Sequence, residues 1–212
     1  MKYTEQFASG DYLTDKIFPH SYGSEVYDEL FEPIQHTCKN YLEIGSFFGG
    51  SALLARDYFT EASIWTIDIN PPNHRIKCAD RIHNIQGDAY IAWTAKKIPP
   101  TMDIIIEDGS HRIQHQVASI DIYLPKLAVN GVFIIEDVEF PDDTFQLFDD
   151  VIDKHNWRSA SDQYTVRKYV GKEYYTNNNP SRVKEYTKEM QEFGALAHKS
   201  YNDNLYLVTR VK

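Results

Sequence analysis

Residues 41–51 read YLEIGSFFGGS, and residues 63–69 read SIWTIDI. The first is an apolar run that ends in a glycine-rich turn. The second is an apolar run that ends in an acid, Asp68. Between them, residues 51–59 carry the spacing of a helix. Strand, turn, helix, strand is the repeating unit of a parallel sheet covered by helices.

The same alternation extends downstream. Residues 82–85 form a short strand-like run closed by Gly87, and residues 89–97 suit a helix ahead of Pro99 and Pro100. Residues 102–106 (MDIII) are a mostly apolar strand, as a sheet buried on both faces requires. A helix over 115–124, a turn at Asn130-Gly131 and a strand over 132–135 follow. Farther on, the patterns predict a helix over 143–155, a strand over 157–161 and a turn-rich loop over 171–180. An amphipathic helix over 181–199 and a closing strand over 204–211 complete the chain. Upstream, Ser24 can cap a helix through 26–30. The expected fold is α/β: a doubly wound, Rossmann-like seven-stranded sheet, mostly parallel with a late antiparallel strand, and helices on both faces. Periodicity leaves the strand order open.

With 212 residues and a hydrophobic share of 42%, one domain over 1–212 is expected. The 15 tyrosines suit planar or polyhydroxylated ligands, but filling the edges of the core accounts for them equally well. The net charge of -9 repels phosphate backbones, so nucleic acid is not an expected partner. Cys38 and Cys78 fall in no CxxC pair and read as reduced thiols. No apolar run near the start reads as a leader, and none is long enough to span a membrane. The expected compartment is the cytoplasm.

The glycine turn is the first candidate site. Gly45, Ser46, Gly49, Gly50 and Ser51 let the backbone approach a ligand closely, and the helix after them offers unpaired N–H groups to an anionic group. Glu43 lies in the strand before the turn. Asp68 stands where an acid accepts hydrogen bonds from ribose hydroxyls. Asp88 and Ala89, at the end of the next strand, suit an adenine, although Asp88 also suits a helix N-cap. Phe47 occupies the second glycine position of a dinucleotide fingerprint and would crowd a pyrophosphate. A cofactor without phosphates, S-adenosylmethionine, is the better fit, and Glu43 suits its amino group.

The second candidate site is acidic. Residues 103–111 read DIIIEDGSH and residues 132–139 read VFIIEDVE. Two adjacent parallel strands would bring Asp108, Glu136 and Asp137 to one sheet edge. Three carboxylates there call for a hard divalent cation, Mg²⁺ first. Strand-end carboxylates also occur as plain structure, and the pairing of the two motifs is what points to a metal. His111, just past Asp108, suits a general base. His115 lies one turn on and has no role assigned.

At these residues the chain resembles class I S-adenosylmethionine-dependent methyltransferases of the macrocin and mycinamicin O-methyltransferase family, metal-dependent enzymes acting on deoxysugar hydroxyls. The resemblance runs over residues 14–138. It includes Thr14-Asp15-Lys16, His20-Ser21-Tyr22, Tyr27, LEIGSFFGGSALLARDYF, TIDIN, Gly87-Asp88, IIIEDGSHRIQHQ and LPKLAVNGVFIIEDVE. It implies His111 as base, with Asp108 taking part in catalysis. It implies Asp108, Glu136 and Asp137 as metal ligands, and Glu43, Gly45, Asp68 and Asp88 around the cofactor. It also implies a lid over Lys16 to Tyr22 within an N-terminal segment, 1–38. Glu107 stands where the family more often has aspartate, and residues 164–203 read as an insertion outside its pattern. The implied acceptor is a sugar or glycan with vicinal hydroxyls, such as a rhamnose, and a homo-oligomer is a further expected partner. Methylation of a catechol, an NAD-dependent oxidoreductase and a non-catalytic binding protein are the competing readings.

Overall fold

A computed structural model of the chain describes residues 1–17, 22, 26–159, 162–170 and 204–212. In chain order the elements are α1 (Tyr3–Ala8), α2 (Asp28–Phe31), β1 (Asn40–Ile44), α3 (Gly50–Tyr58), β2 (Ser63–Asp68), α4 (His74–Lys77) and β3 (Ile82–Gln86). They continue with α5 (Ala92–Ala95), β4 (Met102–Glu107), α6 (Ile113–Tyr123), β5 (Leu127–Ile135), α7 (Pro141–Arg158), β6 (Tyr164–Val170) and β7 (Asn204–Arg210). The seven strands form one sheet in the order β3-β2-β1-β4-β5-β7-β6. β7 sits between β5 and β6 and runs antiparallel to both, while the pairings from β3 across to β5 are parallel.

Alternation along the strands builds two cores. Ile104 and Ile106 of β4 and Leu205 and Leu207 of β7 face one layer, with Tyr3, Phe31, Tyr58 and Phe59. Ile105 and Tyr206 face the other, with Ile120, Tyr123, Phe133 and Phe148. Successive side chains on a strand point to opposite faces, so an unbroken apolar strand serves both layers. Many tyrosines are core residues, with Tyr3, Tyr22, Tyr27, Tyr41, Tyr58, Tyr123 and Tyr206 fully buried.

The order reverses between β1 and β4, parallel neighbours that are not consecutive in the chain. At such a switch point the loops leaving the two strands go to opposite faces and open a crevice at the carboxyl edge. The glycine turn, Asp68, Asp88, Asp108 with His111, and Asp137 all lie at that edge.

Several local expectations need correction. Trp157 and Arg158 finish α7 rather than start a strand, since basic residues suit the last turn of a helix; the sixth strand is Tyr164–Val170. The first part of the expected insertion is therefore strand. The helix expected over 89–97 is only Ala92–Ala95, because the Asp88 carboxylate accepts from the Tyr90 amide and holds a turn there. Asn130-Gly131 does not end an element: β5 runs through it, with Asn130 at φ 64° and a shift of register opposite β4. Ser24, residues 181–199, and His20 with Ser21 lie outside the described residues. Among the described residues no helix is long and apolar enough to cross a membrane.

Candidate active site

A cavity of about 1080 Å³ opens at the carboxyl edge of β1, β2, β4 and β5. Its floor exists because the loops after β1 and β4 touch. Gly45 has φ +85°, and a Cβ there would stand 2.0 Å from the Asp108 carbonyl oxygen. The sheet ladder continues past the strand ends. The Gly45 amide donates to Ile67 O (2.8 Å), Asp108 N to Ile44 O (2.9 Å), and Glu136 N to Glu107 O (2.9 Å). Backbone bonds therefore bring the glycine turn, the Asp108 loop and the Glu136-Asp137 loop to one line.

One half of the cavity is the glycine turn with its neighbours. Gly45, Ser46, Gly50, Ser51, Asp68, Asp88 and Ala89 all line it. Asp68 Oδ2 accepts from the amides of Ser46 (2.8 Å) and Phe47 (3.1 Å), and Oδ1 from Asn70 N (2.8 Å). This aspartate thus shapes the turn, and Oδ1 keeps acceptor capacity for one hydroxyl. Phe47 holds φ 42° and is 60% exposed, so its ring projects where a phosphate-binding turn would leave room.

Two of the expected cofactor residues sit behind this wall. Gly49 is the left-handed N-cap of α3, and a Cβ on it would press on Ile76. Glu43 is fully buried, and burial pushes its pKa up to about 7 against the pull of Lys16. It faces Lys16 at 3.5 Å rather than the cavity.

The other half carries Asp108, His111 and Asp137, which line the same cavity. One ligand atom from each lies within 4.8 Å of the others, a grouping that can hold a metal ion. His111 Nδ1 is enclosed without a hydrogen-bond partner, 3.8 Å from Asp137 Oδ2. His111 and Asp137 both adopt positive φ, 57° and 51°. Such conformations cost a non-glycine residue about 1–3 kcal/mol and gather at functional sites. Tyr22 Oη donates to Asp137 Oδ1 at 2.5 Å.

Glu136, expected beside Asp137 as a ligand, is outside this group. It is 2% exposed, takes the Lys16 ammonium at 2.7 Å on Oε2, and accepts from Tyr27 Oη on Oε1. Successive residues at a strand end diverge, which sends Asp137 to the cavity and Glu136 beneath it. Lys16 also reaches Asp108 Oδ2 at 2.6 Å. Burial pulls the Lys16 pKa down, but Asp108, Glu136 and Glu43 outweigh it and hold the group well above an ordinary lysine.

Sequence reasoning missed this lysine as a site residue, although the Thr14-Asp15-Lys16 motif was the signal. It also missed a network on the far wall. Tyr90 Oη donates to Glu107 Oε1 (2.7 Å) and accepts from Ser110 N (3.0 Å), while His115 stacks on Tyr90 at 4.2 Å and its Nδ1 meets Ser110 Oγ at 2.7 Å. Burial pushes Glu107 up to about 7, moderated by Tyr90.

Residues 42–138 match a family model described as a methyltransferase domain. The 8-demethyl-8-alpha-L-rhamnosyl tetracenomycin-C 2'-O-methyltransferase of Streptomyces olivaceus is 29% identical over 138 residues, 59% of this chain and 35% of that protein. Mycinamicin VI 2''-O-methyltransferase of Micromonospora griseorubida is 29% identical over 141 residues, 61% of this chain and 35% of that protein. The matches thus cover about a third of those relatives' length. Among solved structures, the MycE methyltransferase from the mycinamycin pathway, in complex with Mg and SAH, superposes with a TM-score of 0.66. That match has 22% identity and covers 99% of this chain and 53% of the other.

Proposed function

We propose, from the match of residues 42–138 to a methyltransferase-domain family model, that the chain moves a methyl group from S-adenosylmethionine to a hydroxyl of a sugar-bearing acceptor, aided by a divalent cation. One observation carries the reading: the glycine turn with Asp68 and Asp88, and the Asp108–His111–Asp137 group, line one continuous cavity.

In this reading the turn after β1 cradles the cofactor. The free lone pair of Asp68 Oδ1 accepts from a ribose hydroxyl, and the Asp88–Ala89 turn borders the adenine. Asp108 and Asp137 offer hard oxygen donors that fit a divalent ion, and the enclosed Nδ1 of His111 stands beside them. Such an ion would lower the acceptor's hydroxyl pKa, and the two oxygens of a vicinal diol would chelate it.

A sugar hydroxyl is too weak an acid to attack unaided at neutral pH. The His111 imidazole takes its proton, and Asp137 Oδ2, 3.8 Å from Nδ1, stabilises the imidazolium that forms. The acceptor oxygen then attacks the methyl carbon in line with its bond to sulfur: the O–CH3 bond forms as the S–CH3 bond breaks, and S-adenosylhomocysteine leaves with no covalent enzyme intermediate. The left-handed turns at His111 and Asp137 hold both groups at the rim of the acceptor space.

The rhamnosyl group in the names of the Streptomyces olivaceus relatives supports a rhamnose-type acceptor. A second reading, methylation of a catechol, rests on Phe47 and Phe48, whose rings lie 4.0 Å apart at the cavity and offer an apolar wall. Methyl transfer from labelled S-adenosylmethionine to rhamnosides, nucleotide sugars and catechols, assayed side by side, separates them. Turnover of rhamnosides or nucleotide sugars is expected. Turnover of catechols alone would overturn the sugar reading, and binding of NAD⁺ without response to S-adenosylhomocysteine would overturn the methyltransferase reading.

A further inference from the structure

The loop that carries His111 runs from Glu107, the last residue of β4, to Ile113, the first of α6. His111 holds φ 57°, a conformation that persists in a non-glycine residue only where its surroundings impose it. The restraint comes from Glu107 and Tyr90. The Ser110 amide, next to His111 in the chain, donates to Tyr90 Oη at 3.0 Å, and Oη donates to Glu107 Oε1 at 2.7 Å. A phenol has one proton to give. Giving it to the carboxylate leaves a lone pair for the amide, so the chain runs in one direction, amide to phenol to carboxylate. Each bond polarises the next.

The loop lies directly on this pair. A Cβ on Gly109 would stand 2.2 Å from Tyr90 Oη and 3.1 Å from Glu107 Oε1. The Tyr90 ring stacks on His115 with centroids 4.2 Å apart, and His115 Nδ1 meets Ser110 Oγ at 2.7 Å, so Ser110 is held by backbone and side chain at once. Tyr90 is in turn fixed by the turn after β3, where its amide donates to Asp88 Oδ1 at 2.8 Å.

Glu107 is fully buried, and its Oε2 has no hydrogen-bond partner. Such a carboxylate is costly, and an apolar side chain would fill the place with less loss of stability. What an apolar side chain could not do is accept the phenol proton and so orient the phenol. We propose that Glu107 and Tyr90 are positioning residues for His111. The carboxylate orients the phenol, the phenol tethers the Ser110 amide, and the tether fixes the loop in the shape that brings the imidazole to the cavity. A displacement of about 1 Å at a reacting group can cost roughly 10²-fold in rate. The link to catalysis rests on the proposed function; the tether does not.

The test uses the full chain with Mg²⁺ and whichever acceptor is turned over in the side-by-side assay. Tyr90→Phe keeps the ring and removes Oη, Glu107→Leu removes the acceptor oxygen, and Glu107→Gln keeps one. In Tyr90→Phe and Glu107→Leu, kcat falls by about tenfold or more, while KM for S-adenosylmethionine and the affinity for S-adenosylhomocysteine stay within about threefold. Glu107→Gln keeps kcat within about threefold of wild type, and the double variant Tyr90→Phe/Glu107→Leu falls no further than the slower single one, because both act through one chain. A pair with a merely structural role would show neither the split between kcat and KM nor the rescue by glutamine. NMR of the isotope-labelled chain reads the tether without turnover. In Tyr90→Phe and Glu107→Leu the Ser110 amide exchanges about tenfold faster or more and the His111 ring resonances move, and both stay as in wild type in Glu107→Gln. A wild-type Ser110 amide that exchanges like a free one, unchanged kcat or unmoved His111 resonances in Tyr90→Phe, a Glu107→Gln as slow as Glu107→Leu, or a parallel loss of S-adenosylhomocysteine affinity would overturn the proposal. Should Tyr90→Phe and Glu107→Leu fail to fold, the wild-type Ser110 amide and the kcat of Glu107→Gln decide it. A wild type that turns over no acceptor would overturn the proposed function, and the NMR readouts alone would then decide the tether.

Discussion

Gly45→Ala is the substitution that most directly attacks the junction of the two halves of the site. The glycine holds φ +85°, and the added Cβ would stand 2.0 Å from Asp108 O, 2.7 Å from Asp108 C and 2.8 Å from Gly109 Cα. All three are backbone atoms, so no side chain can swing aside. The left-handed conformation alone costs about 1–2 kcal/mol. Relief of the clash pulls the β1 and β4 loops apart and stretches two ladder bonds, Gly45 N to Ile67 O and Asp108 N to Ile44 O. Each is worth about 0.5–1.5 kcal/mol. The sum is roughly 2–5 kcal/mol, a large share of the 5–15 kcal/mol typical of a domain. Urea denaturation measures it, with Gly87→Ala as control, since a Cβ there meets only Thr94 side-chain atoms at 3.4 Å and beyond. S-adenosylhomocysteine affinity should fall together with stability in Gly45→Ala, while the control keeps its stability. A Gly45→Ala variant within about 1 kcal/mol of wild type, binding normally, would refute the claim that this close approach builds the cavity floor.

His111→Ala should lower kcat by about 10²- to 10⁴-fold while S-adenosylhomocysteine affinity, measured by calorimetry, stays within a few-fold; near-normal turnover would remove His111 as the base. Exhaustive chelation by EDTA should stop methyl transfer and Mg²⁺ should restore it; full activity after chelation would remove the metal. Glu107 has its pKa raised by burial from 4.5 to about 7. The folded state therefore binds the extra proton between those values, so this group's stabilisation is present below about pH 4.5 and is lost as pH rises through 7. The loss is on the order of 3 kcal/mol, and Glu107→Gln should flatten the stability profile across that window in urea titrations at stepped pH; an unchanged slope would contradict the assignment. Tyr27→Phe removes a buried donor to Glu136 and should cost about 1–3 kcal/mol in thermal unfolding, with an unchanged Tm as the contrary result.

The central sheet was legible because its strands announce themselves. YLEI, SIWTID and MDIIIE are too apolar for anything but strands buried on both faces, and the glycines and prolines between them punctuate clearly. Strand order was not legible, since pairing depends on contacts between residues far apart in sequence. The end of α7 was misread because Trp157-Arg158 has the composition of a strand but sits on a helix already extended by Phe145, Phe148 and Ile152 packing beneath it. At the candidate site, the motifs led to the sheet edge where the cavity opens. What they could not supply was direction: Glu136 and Asp137 are neighbours, yet one points under the sheet edge and the other into the cavity. Nor could spacing reveal that a lysine 92 residues before Asp108 would reach its carboxylate. Charge compensation in a buried cluster is a property of the assembled fold.

A crystal structure of the full chain grown with S-adenosylhomocysteine and Mn²⁺ tests the central claim most directly, because Mn²⁺ is located by its anomalous scattering. The account predicts one ion bonded to Asp108 and Asp137, and the cofactor's sulfur in the same cavity facing His111. An ion absent from those carboxylates, or a cofactor lodged away from them, would contradict it.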